Sequence, residues 1–361
     1  MGAGHDAAAR ALGAAARRRW PGCELAWADT LQVMGLGVGP TFRAFYVGNV
    51  RYTPGLYEFY FNANWRYRWF AESSKAFVGA WCGPRLERRI KDFQPDLVIS
   101  TYPLGSAGLA WLRRHARLDV PVQVWVCDFA PHPFWVYEEL DIHFVMHEIA
   151  IASARAVAPT SPVRVAAPPV EPRFTPGDRS AARAALDLPP DGFVAFISCG
   201  SLGFGAVEEA ARTMLDAGDD VTVVVVTGHN ERLRTRLATT LDRGDGRLRV
   251  LGWVDDVPNL LRASDVVVTN AGGATSLEAL ATQTPVIMFQ PIAAHGRANA
   301  EYMMRAGLAD LCATPDELTT LTRVLREDPD AIARRRRVIA AHCAGRTLTA
   351  DIAPFPQLAG T

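Results

Sequence analysis

Ser264-Asp265-Val266-Val267-Val268-Thr269-Asn270-Ala271-Gly272-Gly273-Ala274-Thr275-Ser276-Leu277-Glu278-Ala279-Leu280 is the stretch that decides the fold of this chain. Val266 to Val268 form the short apolar run of a buried parallel strand, and Gly272-Gly273 supply a turn in which backbone approaches a ligand at the strand's carboxyl end. The helix that follows points unpaired N–H groups at an anion. Thr275 and Ser276 add hydroxyl donors, and Glu278, one turn inside, is placed to accept two hydrogen bonds from a vicinal diol such as ribose. Such a unit grips a nucleotide diphosphate. Taken alone it is equally an ordinary strand-turn-helix with Glu278 on a solvated face.

Outward from this stretch the chain alternates strands and helices. Pro285 to Phe289 is the next buried strand, and it runs into Ala293-Ala294-His295-Gly296-Arg297-Ala298-Asn299, so two adjacent loops face one crevice. Phe193 to Ile197, Val221 to Val226 and Arg249 to Leu251 read as further strands of the same unit. After the first of them comes a second glycine loop, Gly200-Ser201-Leu202-Gly203-Phe204-Gly205, ahead of a helix over Val207 to Leu215. Upstream, Val122 to Val126 is another buried strand. Prolines at 159, 162, 168, 169, 172 and 176 mark a linker between the two alternating units. The expectation is two doubly wound domains, 1–163 and 164–361.

Composition fits a globular two-domain chain: 361 residues, 49% apolar, 21% charged, formal net charge zero. That balance argues against a nucleic-acid binder. No apolar run reaches the ~18 to 20 residues of a membrane span, and no export signal is visible. The six cysteines are scattered without metal-ligand or disulfide spacing and read as reduced cytoplasmic thiols. No metal and no cofactor is expected.

The N-terminal half carries two other patterns. Gly2-x-Gly4-x-x-Ala7 opens a helix, and Asp29 closes a strand read over Glu24 to Ala28, at about the distance of the ribose-binding acid of a nicotinamide-dependent oxidoreductase. Against that reading, His5 and Asp6 crowd the loop, and the stronger nucleotide constellation lies in the other domain. Residues 42 to 81 hold fourteen aromatics where the chain average is 9%, interleaved with Arg43, Arg51, Arg66 and Arg68. Rings among arginines suit the headgroup layer of an anionic membrane; a helical subdomain with rings as core is the equal alternative.

Gly2-Ala3-Gly4-His5-Asp6, Ile99-Ser100-Thr101-Tyr102-Pro103-Leu104, Asp128-Phe129-Ala130-Pro131-His132-Pro133-Phe134-Trp135, the loop Gly200 to Gly205, Leu251-Gly252-Trp253-Val254-Asp255 and the opening stretch together, in this order, resemble a family of UDP-sugar glycosyltransferases. The family includes monogalactosyldiacylglycerol synthase, the processive diacylglycerol glucosyltransferases and the lipid II-forming N-acetylglucosaminyltransferase. The resemblance implies the GT-B fold, two Rossmann-like domains facing a cleft. It implies His5 as general base for inverting transfer, with Asp128 orienting it or acting as base itself, and His132 and Trp135 at the acceptor. For the donor it implies Gly200, Ser201, Gly203, Trp253, Val254, Gly272, Gly273, Thr275, Glu278, His295 and Asn299.

Two departures stand out. Relatives carry Pro-Gly-Gln-Glu-Glu-Gly-Asn after the last of these strands, its Gln-Glu pair holding sugar hydroxyls, whereas this chain has Ala293-Ala294-His295-Gly296-Arg297-Ala298-Asn299; Arg297 reads as a partner for a uronate or the diphosphate, or as a surface salt bridge. Relatives also have a strand before the first glycine loop, so the N-terminal sheet is expected to lack its first, central strand. The resulting expectation is transfer of a hexose from a UDP-sugar to a diacylglycerol-like lipid by a cytoplasmic protein, peripheral on the inner face of the plasma membrane. A UDP-sugar epimerase, an oxidoreductase and a non-catalytic nucleotide-binding relative are the alternatives.

Overall fold

The computed structural model describes residues 4–198, 200 and 205–352. The N-terminal domain begins with five helices, α1 (Gly4–Arg19), α2 (Thr30–Met34), α3 (Val38–Tyr52), α4 (Pro54–Arg66) and α5 (Arg68–Phe93). It continues as β1 (Val98–Ser100), α6 (Pro103–Arg114), β2 (Val122–Trp125), β3 (Ile142–Val145), α7 (Ile151–Val157) and β4 (Val163–Val165). The C-terminal domain runs α8 (Arg179–Ala185), β5 (Phe193–Ser198), α9 (Val207–Asp216), β6 (Val221–Val226), α10 (Glu231–Leu241), β7 (Leu248–Leu251), α11 (Val257–Ala263) and β8 (Val266–Thr269). It closes with α12 (Ala274–Ala281), β9 (Val286–Phe289), α13 (His295–Arg305), β10 (Ala309–Cys312), α14 (Pro315–Glu327), α15 (Pro329–Cys343) and α16 (Leu348–Asp351).

Both sheets are parallel throughout. The first has the order β1-β2-β3-β4, the second β10-β9-β8-β5-β6-β7. In the second sheet β5 pairs β6 on one side and β8 on the other, so chain order reverses there. Ligands of open α/β sheets bind at the carboxyl ends of the strands at that reversal. The carboxyl ends of β5 at Ser198 and of β8 at Thr269 flank it.

Burial explains the strand sequences. Every residue of β2, β3, β5, β6, β8 and β9 is buried, as continuous apolar runs require when helices cover both faces. One apolar cluster on the C-terminal sheet joins Val194, Phe196, Val267 and Met288 to α11, α12 and α13. Alternate residues, Ala195, Ile197, Val223 and Val268, pack the other face against α9, α10 and α14. Asp265, at the foot of β8, is buried, accepting from the Val194 amide at 2.8 Å and from Arg183 at 2.7 Å. Arg183, itself buried, donates also to the Ala263 carbonyl at 2.9 Å. This ion pair fixes α8 to the sheet.

The structure corrects the sequence reading in three places. Residues 23–29 form no strand: β1, whose Val98 and Ile99 are only half-buried, is the edge of the described sheet, and nothing there pairs with Glu24 to Ala28. Asp29 instead caps α2, accepting from the Leu31 amide at 2.9 Å and the Gln32 amide at 3.2 Å. That removes the ribose-binding geometry the oxidoreductase reading needs. Second, Val163 opens β4, which pairs β3, so the N-terminal sheet extends through Val165 rather than ending at 163. Third, the chain returns: Leu348 and Ile352 pack with Ala11, Leu12, Ala15 and Trp125, and Asp351 accepts from the Ala167 amide at 2.7 Å. The last described helix thus belongs to the core of the first domain.

Candidate active site

Residues that follow strands of the two sheets meet between the domains, Asn299 after β9 bonding Asp128 and the Ala130 amide after β2. Gly272 follows β8 with φ +66, a conformation that disfavours a side chain, and a Cβ there would stand 2.6 Å from the Cβ of Asn299. The turn releases α12 toward the opposite domain. There α1 begins at Gly4, where a Cβ would lie 3.1 Å from that of Ala274. Two helix N-termini therefore converge, one from each domain, each carrying unpaired N–H groups and positive dipole charge. Thr275 is half-buried in the first turn of α12. Glu278 lies one turn on, half-buried; among the described residues its carboxylate has no hydrogen-bond partner. Burial, reinforced by Glu171 and opposed by Arg173, pushes its pKa up to about 8.

His5 enters from the second residue of α1. Its ring lies 5.0 Å from that of Tyr102 and 5.7 Å from that of Trp135, and its Nδ1 is buried without a hydrogen-bond partner. Burial lowers its pKa, against the opposing charge of Asp128, so the imidazole is neutral near pH 7 and free to take a proton. Asp128 follows β2. One carboxylate oxygen accepts from Trp135 Nε1 at 2.9 Å, the other from Asn299 Nδ2 at 3.0 Å. Structure thus brings His5, Asp128 and Trp135 together, and adds Tyr102, which the sequence reading passed over.

His132 sits differently. Its Nε2 lies 3.2 Å from the Phe61 carbonyl and its Nδ1 accepts from the Phe134 amide at 3.3 Å, so both nitrogens are used within the protein. Its ring stacks on Phe61, and burial pushes its pKa down to about 4. It fastens α4 to the loop after β2.

The loop after β9 crosses to the other domain. His295 Nδ1 lies 3.1 Å from the Tyr57 hydroxyl and its Nε2 3.5 Å from that of Tyr46. Arg297 pairs with Glu58 of α4 at 2.6 Å. Asn299, fully buried, accepts from the Ala130 amide at 2.9 Å while donating to Asp128. Tyr46 and Tyr57 carried no individual signal in the sequence beyond membership of the aromatic run.

Further from the cleft, Trp253 is 53% exposed, stacked on His229 at 4.5 Å with rings 5° from parallel, its Nε1 donating to Asp255 at 3.0 Å. Val254 packs at the margin of the core. Gly200 is an exposed turn residue with φ +71. Ser201 and Gly203 lie outside the described residues. Among the described residues no group of His, Cys, Asp and Glu side chains is arranged to hold a metal ion.

Residues 5–170 match the model of the monogalactosyldiacylglycerol synthase family, and residues 194–341 that of the glycosyltransferase family 28 C-terminal domain. The N-terminal half thus carries a domain of the first family and the C-terminal half one of the second, both glycosyltransferase families. A processive diacylglycerol beta-glucosyltransferase of Bacillus cereus (strain 03BB102) is 29% identical over 253 residues, covering 68% of this chain and 63% of that protein. The protein of the same name from Bacillus mycoides (strain KBAB4) is 28% identical over the same shares. The aligned part is therefore less than two thirds of these relatives' length. Among solved structures, Acinetobacter baumannii MurG superposes with a TM-score of 0.54 at 16% identity, covering 75% of this chain and 76% of that one. Anabaena Alr3699/HepE in complex with UDP gives 0.51 at 17% identity over 77% and 82%. These likenesses establish the GT-B architecture of this family member.

Proposed function

We propose that the protein transfers a hexose from a UDP-sugar to a diacylglycerol-type lipid with inversion at the anomeric carbon. The observation that carries this reading is the meeting of α1 and α12, with His5, its Nδ1 buried without a hydrogen-bond partner, on one side and the Gly272-Gly273 turn on the other. The relatives' names supply the acceptor class.

In the reaction the lipid hydroxyl attacks the anomeric carbon, forming the new C–O bond as the bond to the diphosphate breaks. His5 Nδ1 takes the hydroxyl proton, and the Asp128 charge steadies the imidazolium that results. The leaving diphosphate carries its electron pair to the N–H groups at the start of α12, where donors already point before the reaction begins. Glu278 holds the ribose hydroxyls. Trp135 and Asn299 hold Asp128 in place.

An apolar face supports delivery of the acceptor. Phe45, Tyr52, Leu56, Phe59, Trp69 and Phe77 of α3, α4 and α5 are all exposed, with Arg66 and Arg68 beside them. No helix among the described residues is long and apolar enough to cross a membrane. We infer peripheral attachment to anionic bilayers through this face.

The test is product analysis by mass spectrometry, supplying a panel of UDP-sugars with and without diacylglycerol. A glycosylated lipid formed only when both are present is the expected result. Interconversion of UDP-sugars without acceptor would make the protein an epimerase, and UDP binding without turnover a binding module.

A further inference from the structure

The loop after β9 has the place where relatives hold sugar hydroxyls with a Gln-Glu pair, yet its polar side chains here are engaged elsewhere. Both nitrogens of His295 face tyrosine hydroxyls of the opposite domain, Tyr57 at 3.1 Å and Tyr46 at 3.5 Å. Arg297 is held by Glu58 at 2.6 Å. Two residues further, Asn299 bonds the Asp128 side chain and the Ala130 amide. Every one of these contacts runs from the donor-side loop or the start of α13 to the acceptor-side domain. Ala294, buried just before His295, has φ +64, a backbone state that a residue with a side chain holds only where its surroundings enforce it.

We propose that Tyr46, Tyr57 and Glu58 are positioning residues: they latch the segment Pro291–Arg297, the loop after β9 and the first turn of α13, against the acceptor-side domain, so that the donor side takes its reactive geometry only when gripped by α3 and α4. His295 and Arg297 are the loop's half of the latch, not ligands of the transferred sugar. The consequence for the reaction rests on the transferase reading, but the latch itself does not. Adjacent positions Tyr57 and Glu58 place both grips on one turn of α4, and the stacking of His132 on Phe61, one turn further, fixes that helix to the loop bearing Asp128. A shift of α4 therefore moves donor loop and Asp128 loop together.

Two measurements test this on the full chain, with Tyr57→Phe, Glu58→Gln, Arg297→Gln and the charge exchange Glu58→Arg/Arg297→Glu. The first is amide hydrogen exchange over residues 292–299, which needs no turnover. Expected is roughly tenfold faster exchange in each single variant, Glu58→Gln and Arg297→Gln together no worse than either, and protection regained in the exchange variant. Unchanged exchange in all of them would overturn the latch, whatever the protein catalyses. The second is steady-state kinetics with a UDP-sugar and diacylglycerol vesicles, beside UDP calorimetry. Expected is a kcat lowered roughly tenfold in the single variants, UDP affinity kept, and kcat recovered on charge exchange. A raised KM for the UDP-sugar at unchanged kcat in Arg297→Gln, not recovered by exchange, would show Arg297 to be a sugar ligand and refute the proposal. Inactive wild type with the expected exchange pattern would remove the transferase reading and leave the latch standing.

Discussion

If Glu278 holds the ribose, as proposed, UDP binding should depend on pH in a definite direction. In the free protein burial holds its pKa up at about 8, against an ordinary 4.5, so near pH 7 the carboxyl is mostly protonated. Two ribose hydroxyls donating to it favour the charged form, so UDP binding lowers that pKa and releases a proton. Affinity should therefore rise as pH rises, by close to tenfold per unit well below 8, and level off above it. Between pH 6.5 and 8.5 a group titrating near 8 gives about 25-fold, or about 1.9 kcal/mol. Glu278→Gln keeps the shape and removes the titration, and at pH 8.5 it should bind UDP more weakly by about 1.5 to 3 kcal/mol, as loss of charge-assisted hydrogen bonds implies. Calorimetry across that range, in buffers of different ionisation enthalpy, measures affinity and proton release together. The Gln variant reports any titration of UDP itself, so the difference between the two curves belongs to Glu278. Parallel curves with equal proton release would refute the assignment. The same raised pKa works against the empty protein: the unfolded chain ionises this acid from about 4.5 upward while the folded one resists until about 8, so ligand-free stability falls through that window. Glu278→Gln should accordingly melt higher than wild type at pH 7 without UDP.

His5→Ala should lower turnover by about 100-fold or more with UDP affinity nearly unchanged, as loss of a general base requires; wild-type turnover would remove the role. Asp265→Ala strands the buried Arg183 guanidinium without its carboxylate and should cost about 3 to 5 kcal/mol in denaturant unfolding, a loss below about 1 kcal/mol showing that the pair is not what fixes α8. Arg66→Glu with Arg68→Glu should weaken co-sedimentation with anionic vesicles at low salt, each basic side chain near such a surface contributing about 1 kcal/mol. Attachment of the doubly substituted protein equal to wild type would move the docking face elsewhere.

The parts of the fold legible in the sequence are those fixed by chemistry within a few residues. Gly272 needs its positive φ and has no room for a side chain, and the all-buried strands advertise themselves as unbroken apolar runs. What escaped was decided at long range. Glu24 to Ala28 has the composition of a strand, yet a strand exists only when another pairs with it, and β1 is the edge of the described sheet. Nothing local to Leu348 or Ile352 says that they cross back onto α1. Arg297 shows the same limit: its partner Glu58 lies 239 residues away, so the loop alone left a uronate, the diphosphate and the commoner surface salt bridge open, and could not name the acid.

The aromatic run illustrates why composition could not choose between core and membrane. On α4, Tyr57 and Phe61 are four residues apart and share one face, turned toward His295 and His132, while Phe59 falls on the opposite side and is exposed. On α3, Tyr46 reaches His295 while Phe45 and Tyr52 are exposed. The rings therefore divide between two faces of the same helices, one packed against the protein and one exposed. A helix apolar on every side is ordinarily enclosed by protein. Here the outward rings of α3, α4 and α5 have no protein over them in the described chain, so their apolar surface is left for another apolar phase. On the proposed function a bilayer is that phase, and it also holds the acceptor. The inward rings of α3 and α4 meanwhile meet His295 and His132, so on that reading the same helices would join the docking face to the proposed site.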